Sequence, residues 1–139
     1  MAAVFLYRPI RVGIVDDNKL LRRTLHFILD SSPGLEIVAE AENGSEAISL
    51  VEVMRPDVVL MDISLPVLDG IEATRIISSQ FPETKVVILT MHSDQTYADT
   101  ALQAGACRFL TKDCGRTKLI SAIKECSAGP SKVVGNQLH

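Results

Sequence analysis

The sequence predicts an α/β fold in which five parallel strands form one sheet with helices on both faces. Short apolar runs alternate five times with amphipathic stretches of helical period, strand then helix throughout. Two of the runs, Val58–Met61 and Lys85–Leu89, are almost continuously apolar, as strands buried on both faces must be. The runs end on polar residues (Asp16-Asp17, Asp62, Thr90 and Lys112), which lines the carboxyl edge of the sheet with chemistry. Right-handed crossovers and the common doubly wound arrangement of five strands give the order 2-1-3-4-5. The result is a three-layer sandwich whose switch point lies between strands 1 and 3.

Arg11–Val15 is the first strand, stopped by Asp16-Asp17. Asn18 is the N-cap of a helix running to Asp30, with Leu21, Leu25, Ile28 and Leu29 on one face. Ser31-Ser32-Pro33-Gly34 breaks that helix. Leu35–Ala41 is a second strand, mixed in polarity and therefore assigned to a sheet edge. Asn43-Gly44 turns the chain into a helix over Ser45–Met54, with Ala47, Ile48, Val51 and Met54 inward. Pro56 precedes the central strand, Val58–Met61, and a loop closed by Pro66 and Asp69-Gly70 follows it. The third helix spans Ile71–Gln80 and stops at Phe81-Pro82. Lys85–Leu89, ending on Thr90, is the fourth strand, and Thr96–Ala104 is a short helix with Gly105 at C′. Arg108–Leu110 is a brief fifth strand, and Arg116–Ala128 is the last helix, ended by Gly129-Pro130.

With 139 residues, the chain is read as one domain with a substantial core, residues 10–128, preceded by an extension over 1–9. Residues 129–139 read as a tail or the start of a linker. A net charge of −3 with scattered Lys and Arg argues against direct nucleic-acid binding, as does the absence of Trp. The apolar start, Ala2–Tyr7, has no preceding basic region and is too short for a signal peptide or a membrane span. A cytoplasmic protein is the default expectation. Cys107, Cys114 and Cys126 lack the paired spacing of a zinc site and are read as small buried or half-buried thiols in a reducing compartment.

Asp16, Asp17 and Asp62 come from the two strands that flank the switch point. Alone, Asp16-Asp17 would read as helix N-terminal acids. Three carboxylates so close repel one another and are pushed upward in pKa unless a cation offsets them. Hard oxygen donors open to water suit Mg²⁺, which keeps several waters and takes few protein ligands. A carboxylate beside such an ion can attack a phosphoryl group and become an aspartyl phosphate. Lys112 can pair with phosphoryl oxygens, and the Thr90 hydroxyl can donate to another.

These residues, with Met-Asp-Ile-Ser-Leu-Pro-Val-Leu-Asp-Gly around Asp62, closely resemble the receiver domains of two-component response regulators, which have a flavodoxin-like fold. Leu-Thr-Met-His after strand 4, Ala-Gly-Ala before strand 5 and Thr-Lys-Asp after it are most similar to the NarL/FixJ (LuxR-type) subfamily. The resemblance implies phosphoryl transfer from a sensor histidine kinase to Asp62, giving 4-aspartylphosphate, with Asp62, Thr90 and Lys112 as the catalytic set. It implies Mg²⁺ (or Mn²⁺) held by Asp17, Asp62 and the Ser64 carbonyl, with Asp16 acting mostly through bound water. It further implies that Thr90 and Phe109 move together as a switch, reshaping the surface around the fourth and fifth helices. Met91 and His92 are assigned a tuning role beside Asp62, with Ser64, and bulky Met91 is expected to restrict access. Asp113 follows Lys112 where proline is common in the family, which leaves the geometry of that peptide open.

The chain is accordingly read as a phosphorylation-operated switch and not as an enzyme with a diffusible product. A small aspartyl-phosphate phosphohydrolase would want an acid two residues after the nucleophile, where Ser64 stands, and a substrate cap. A degenerate dimerisation module would not need the intact five-residue set. The subfamily resemblance implies a homodimer on phosphorylation and transcriptional output through a C-terminal DNA-binding domain beyond these residues. A stand-alone receiver acting by protein contacts is the alternative.

Overall fold

The structure, a computed structural model, describes residues 8–91 and 95–137, with side chains to residue 128. Five strands alternate with five helices: β1 (Ile10–Val15), α1 (Lys19–Asp30), β2 (Leu35–Ala41), α2 (Gly44–Met54), β3 (Val58–Met61), α3 (Gly70–Gln80), β4 (Lys85–Thr90), α4 (Gln95–Gln103), β5 (Arg108–Thr111) and α5 (Arg116–Gln137). All four strand pairings are parallel and the order is β2-β1-β3-β4-β5, as expected from the pattern. The mixed strand β2 is an edge, and β1 pairs with both β2 and β3.

The continuous apolar runs are explained by the pleat. Successive side chains point to opposite faces, and both faces are covered. Val59, Met61, Val86 and Ile88 pack into one layer with Ala47 and Val51 of α2, Ala73 and Ile77 of α3 and Ala101 of α4. Val58, Leu60, Val87 and Leu89 pack into the other with Leu25 and Leu29 of α1 and Leu119 and Ile123 of α5.

Capping side chains fix the helix starts. The Asn18 Oδ1 accepts from the Leu21 N–H at 3.1 Å, the Asn43 Oδ1 from Glu46 at 2.8 Å and the Asp69 Oδ1 from Glu72 at 2.8 Å. In α2 the stripe is shifted from expectation. Leu50 is buried beneath Gly13, while Ile48 and Met54 are only half-buried.

Two expectations need correction. The last helix does not stop at Ala128 but continues through Gly129-Pro130 to Gln137, so the expected tail is largely helical. A proline deletes one backbone N–H and bends a helix, and need not end it. The thiol reading of the cysteines also fails: Cys107 and Cys126 are joined by a disulfide, and Cys114 alone is free. They lie 19 residues apart in sequence, but the packing of α5 on the sheet brings their Cα atoms to 6.2 Å. The Lys112–Asp113 peptide is trans, because no peptide bond among the described residues is cis. Most of the expected N-terminal extension, residues 1–7, lies outside the described residues, as do Leu138 and His139.

Gly70 ties the fold to the carboxyl edge. Its N–H donates to the Ile63 carbonyl at 2.9 Å, and a Cβ there would collide with the backbone carbonyl of Asp62. Gly70→Ala must push the loop after β3 away from α3. We expect a loss of about 2 kcal/mol or more, at the upper end of ordinary substitutions, read by urea denaturation.

Candidate functional site

The carboxyl edge of the sheet gathers the predicted residues. At the end of β1, Asp16 is 3% exposed, and its backbone N–H donates to the Ala41 carbonyl of β2 at 3.1 Å. At the end of β3 the Asp62 N–H donates to the Val15 carbonyl at 3.1 Å, which sets the two acids side by side. Carboxylate oxygens of Asp16, Asp17 and Asp62 lie within 4.8 Å of one another, with Asp17 exposed and the other two buried.

Lys112 enters from the far edge of the sheet. Its backbone N–H donates to the Thr90 carbonyl at 2.8 Å, and its Nζ lies 2.8 Å from Asp16 Oδ2 and 3.4 Å from Asp62 Oδ2. One ammonium therefore spans two buried carboxylates. Burial pushes the Asp62 carboxyl up, and the Asp16 charge pushes it further. The Lys112 charge and hydrogen bond, and the Ser64 backbone N–H, only partly offset this. Burial pulls the Lys112 ammonium down, but its hydrogen bond to Asp16 and the charges of Asp62 and Asp16 outweigh burial and leave it raised.

Thr90 is fully buried at the end of β4. Phe109, on β5, pairs with Ile88 of β4 and is half-buried against the layer that contains Met61 and Ile77. Met91 is 76% exposed, so its side chain projects into solvent instead of being buried in the site. Ser64 is exposed in the loop after β3, and His92 lies outside the described residues.

Sequence reasoning missed Arg22. It is 7% exposed, and its Nη1 donates to the backbone carbonyl of Asp16 while its Nε pairs with Glu40 at 3.0 Å. The guanidinium thus braces the Asp16-Asp17 turn from behind, against β2. The available signal was a charge within the inward stripe of α1, between Leu21 and Leu25. Arg22→Ala leaves the Asp16 carbonyl without its donor and is expected to cost about 1–3 kcal/mol. Arg22→Lys should recover only part of this, because one ammonium lacks the planar fork that sets Nη1 on the Asp16 carbonyl and Nε on Glu40; thermal melts of the two variants check the order.

The donor set fits a small hard cation. Three carboxylates supply oxygens, one of them faces water, and the local excess of negative charge left by a single lysine favours a divalent ion.

A doubly wound parallel sheet in the order 2-1-3-4-5 is a flavodoxin-like fold, and its acids and lysine gather at the carboxyl edge where such sheets bind their ligands. A family model described as "Response regulator receiver domain" matches residues 12–124. The chain belongs to the response regulator receiver family.

The transcriptional regulatory protein DegU of Brevibacillus brevis is 40% identical over 130 residues, 94% of this chain and 55% of the relative. Among solved structures, the signal receiver domain of the response regulator NarL from Mycobacterium tuberculosis superposes with a TM-score of 0.84 at 33% identity, covering 88% of this chain and 98% of that one. A CheX–CheY–BeF3–Mg²⁺ complex from Borrelia burgdorferi matches with a TM-score of 0.79 at 27% identity, covering 85% of this chain and 89% of that one. The chain spans about half the length of the curated relatives it matches. Among the described residues no helix is long and apolar enough to cross a membrane.

Proposed function

We propose that this domain accepts a phosphoryl group on Asp62 from the phosphohistidine of a sensor histidine kinase, in a Mg²⁺-dependent step. The observation that carries the reading is the single ammonium of Lys112 set between Asp16 and Asp62 at the edge of the sheet. Bound Mg²⁺ (or Mn²⁺) would be held by Asp17, Asp62 and the Ser64 carbonyl, with Asp16 reaching it through water, and would neutralise charge on the attacking and transferred oxygens. Family membership supports that assignment, as does the Mg²⁺ in the related Borrelia burgdorferi complex.

Burial beside Asp16 makes the Asp62 carboxylate more basic than an exposed one, and so a better nucleophile. An Asp62 oxygen bonds to phosphorus as the phosphorus–nitrogen bond to the histidine breaks, and the imidazole leaves. Lys112 exchanges its contact with the free carboxylate for the phosphoryl oxygens. The Thr90 hydroxyl donates to the phosphoryl group, and Phe109 turns into the space vacated beside it, a shift between two packings of β4 and β5. Ser64, Met91 and His92 set the rate at which water returns the domain to its resting state. Because the curated relatives are longer transcriptional regulators, the output is assigned to a separate DNA-binding domain, engaged through a homodimer.

The test is intact mass after incubation with acetyl phosphate and Mg²⁺. A gain of one phosphoryl group, lost with chelator, supports the reading. Uptake that ignores the chelator contradicts the metal assignment, and no uptake from either acetyl phosphate or a phosphorylated cognate kinase contradicts the acceptor role.

A further inference from the structure

Outside the carboxyl edge, the described residues hold one more constellation of reactive groups. Cys107 stands immediately before β5, half-buried, and Cys126 lies on α5 at 2% exposure, bonded to it. The Arg108 guanidinium lies beside the first of them: its Nη1 is 3.8 Å from Cys107 Sγ, and its Nη2 is 3.3 Å from Oε1 of Glu125, the sequence neighbour of Cys126. A cation beside a sulfur stabilises negative charge on it, the condition for thiol–disulfide exchange. On the other side of Arg108 opens a cleft of about 590 Å³, whose lining also includes Arg116 and Lys118. Cys107 and Cys126 stand outside that lining, but its three cations outnumber the one carboxylate, Glu125, and so attract a small disulfide bearing carboxylates towards this end of β5.

We propose that Cys107 and Cys126 form a reversible redox site that exchanges with a glutathione-type disulfide, independently of phosphoryl transfer. Cys107, the more accessible sulfur, loses its proton and attacks one sulfur of the small disulfide. The first thiolate leaves, takes up a proton, and a mixed disulfide remains on Cys107. Cys126 can be reached only from within the fold, so it acts second. Deprotonated, it attacks Cys107 Sγ and expels the second small thiolate. Two protein thiols are oxidised and one small disulfide is reduced to two thiols. The new bond fastens α5 to the start of β5, the strand that carries Phe109 and leads to Lys112.

Cys114 is the internal control. It is free, it is the cysteine that lines the cleft, and burial pushes its thiol up. Folded protein is equilibrated over a series of oxidised-to-reduced glutathione ratios, quenched in acid, unfolded, alkylated with iodoacetamide and weighed. The expected result is a fall from three adducts to one as the ratio rises, with Cys114 the labelled residue, and a return to three when reduced glutathione is restored. In Cys126→Ser the glutathione adduct should accumulate on Cys107. Three adducts at every ratio would overturn the proposal. So would a bond that persists at every ratio, or an adduct that settles on Cys114 in the variant.

Discussion

Asp62→Asn should melt at a higher temperature than the wild type at neutral pH, while taking up no phosphoryl group. Both effects come from the same carboxylate. Asp62 is 6% exposed, raised by burial first and by Asp16 second, and Lys112 offsets only part of this. An acid whose folded value is raised binds its proton more tightly folded than unfolded, so its cost to stability appears as pH rises through that folded value. Below the ordinary carboxylate range both states are protonated and the cost vanishes. The variant should therefore gain on the order of 1 kcal/mol at neutral pH, roughly 4 °C in a domain of this size, and the gain should disappear in acid. Mg²⁺ should narrow the same gap by stabilising the wild type more than the variant. Melting curves from pH 3 to 8, with and without Mg²⁺, check the sign. A variant less stable than the wild type at pH 7 would mean that the ammonium pairing outweighs burial.

Lys112→Ala should produce the opposite stability change and the largest kinetic loss short of removing the acceptor. Its Nζ is the cation shared by both buried acids, at 2.8 Å from Asp16 and 3.4 Å from Asp62. Without it the two carboxylates face each other unshielded, and a cost of about 1–3 kcal/mol at neutral pH is expected. Because the ammonium is raised in the fold, the stability it contributes is present throughout the neutral range and is lost only as pH climbs through its folded value, above the ordinary lysine range. The phosphorylation rate should fall about 10²–10³-fold, the usual effect of removing one preorganised donor from a developing charge. Acetyl phosphate time courses followed by mass give that ratio directly. Lys112→Arg should keep the charge but fill the site with a planar fork, and should lie between the two.

The elements were legible in the sequence where one physical rule acted alone. Val58–Met61 read as a two-sided strand because four consecutive apolar residues, two of them β-branched, suit burial on both faces of a sheet. Asp16, Asp62, Thr90 and Lys112 were legible because each ends such a run, and the topology then has to bring those ends together. What stayed hidden depended on partners far away in sequence. Arg22 offered only a charge within the inward stripe of α1, and its role depends on β2 bringing Glu40 against it. Cys107 and Cys126 gave no spacing signal, because their meeting is set by how α5 lies on the sheet. The end of the last helix was misjudged because Gly-Pro was given the force of a stop, whereas the helix runs on through it.

The most direct test of the acceptor assignment is chemical. An acyl phosphate on aspartate is reduced by borohydride to homoserine, which marks the acceptor permanently. After phosphorylation with acetyl phosphate and Mg²⁺, reduction and peptide sequencing should find homoserine at position 62 alone. Homoserine at position 16 or 17, or a stable phosphoryl group on another side chain, would contradict the account.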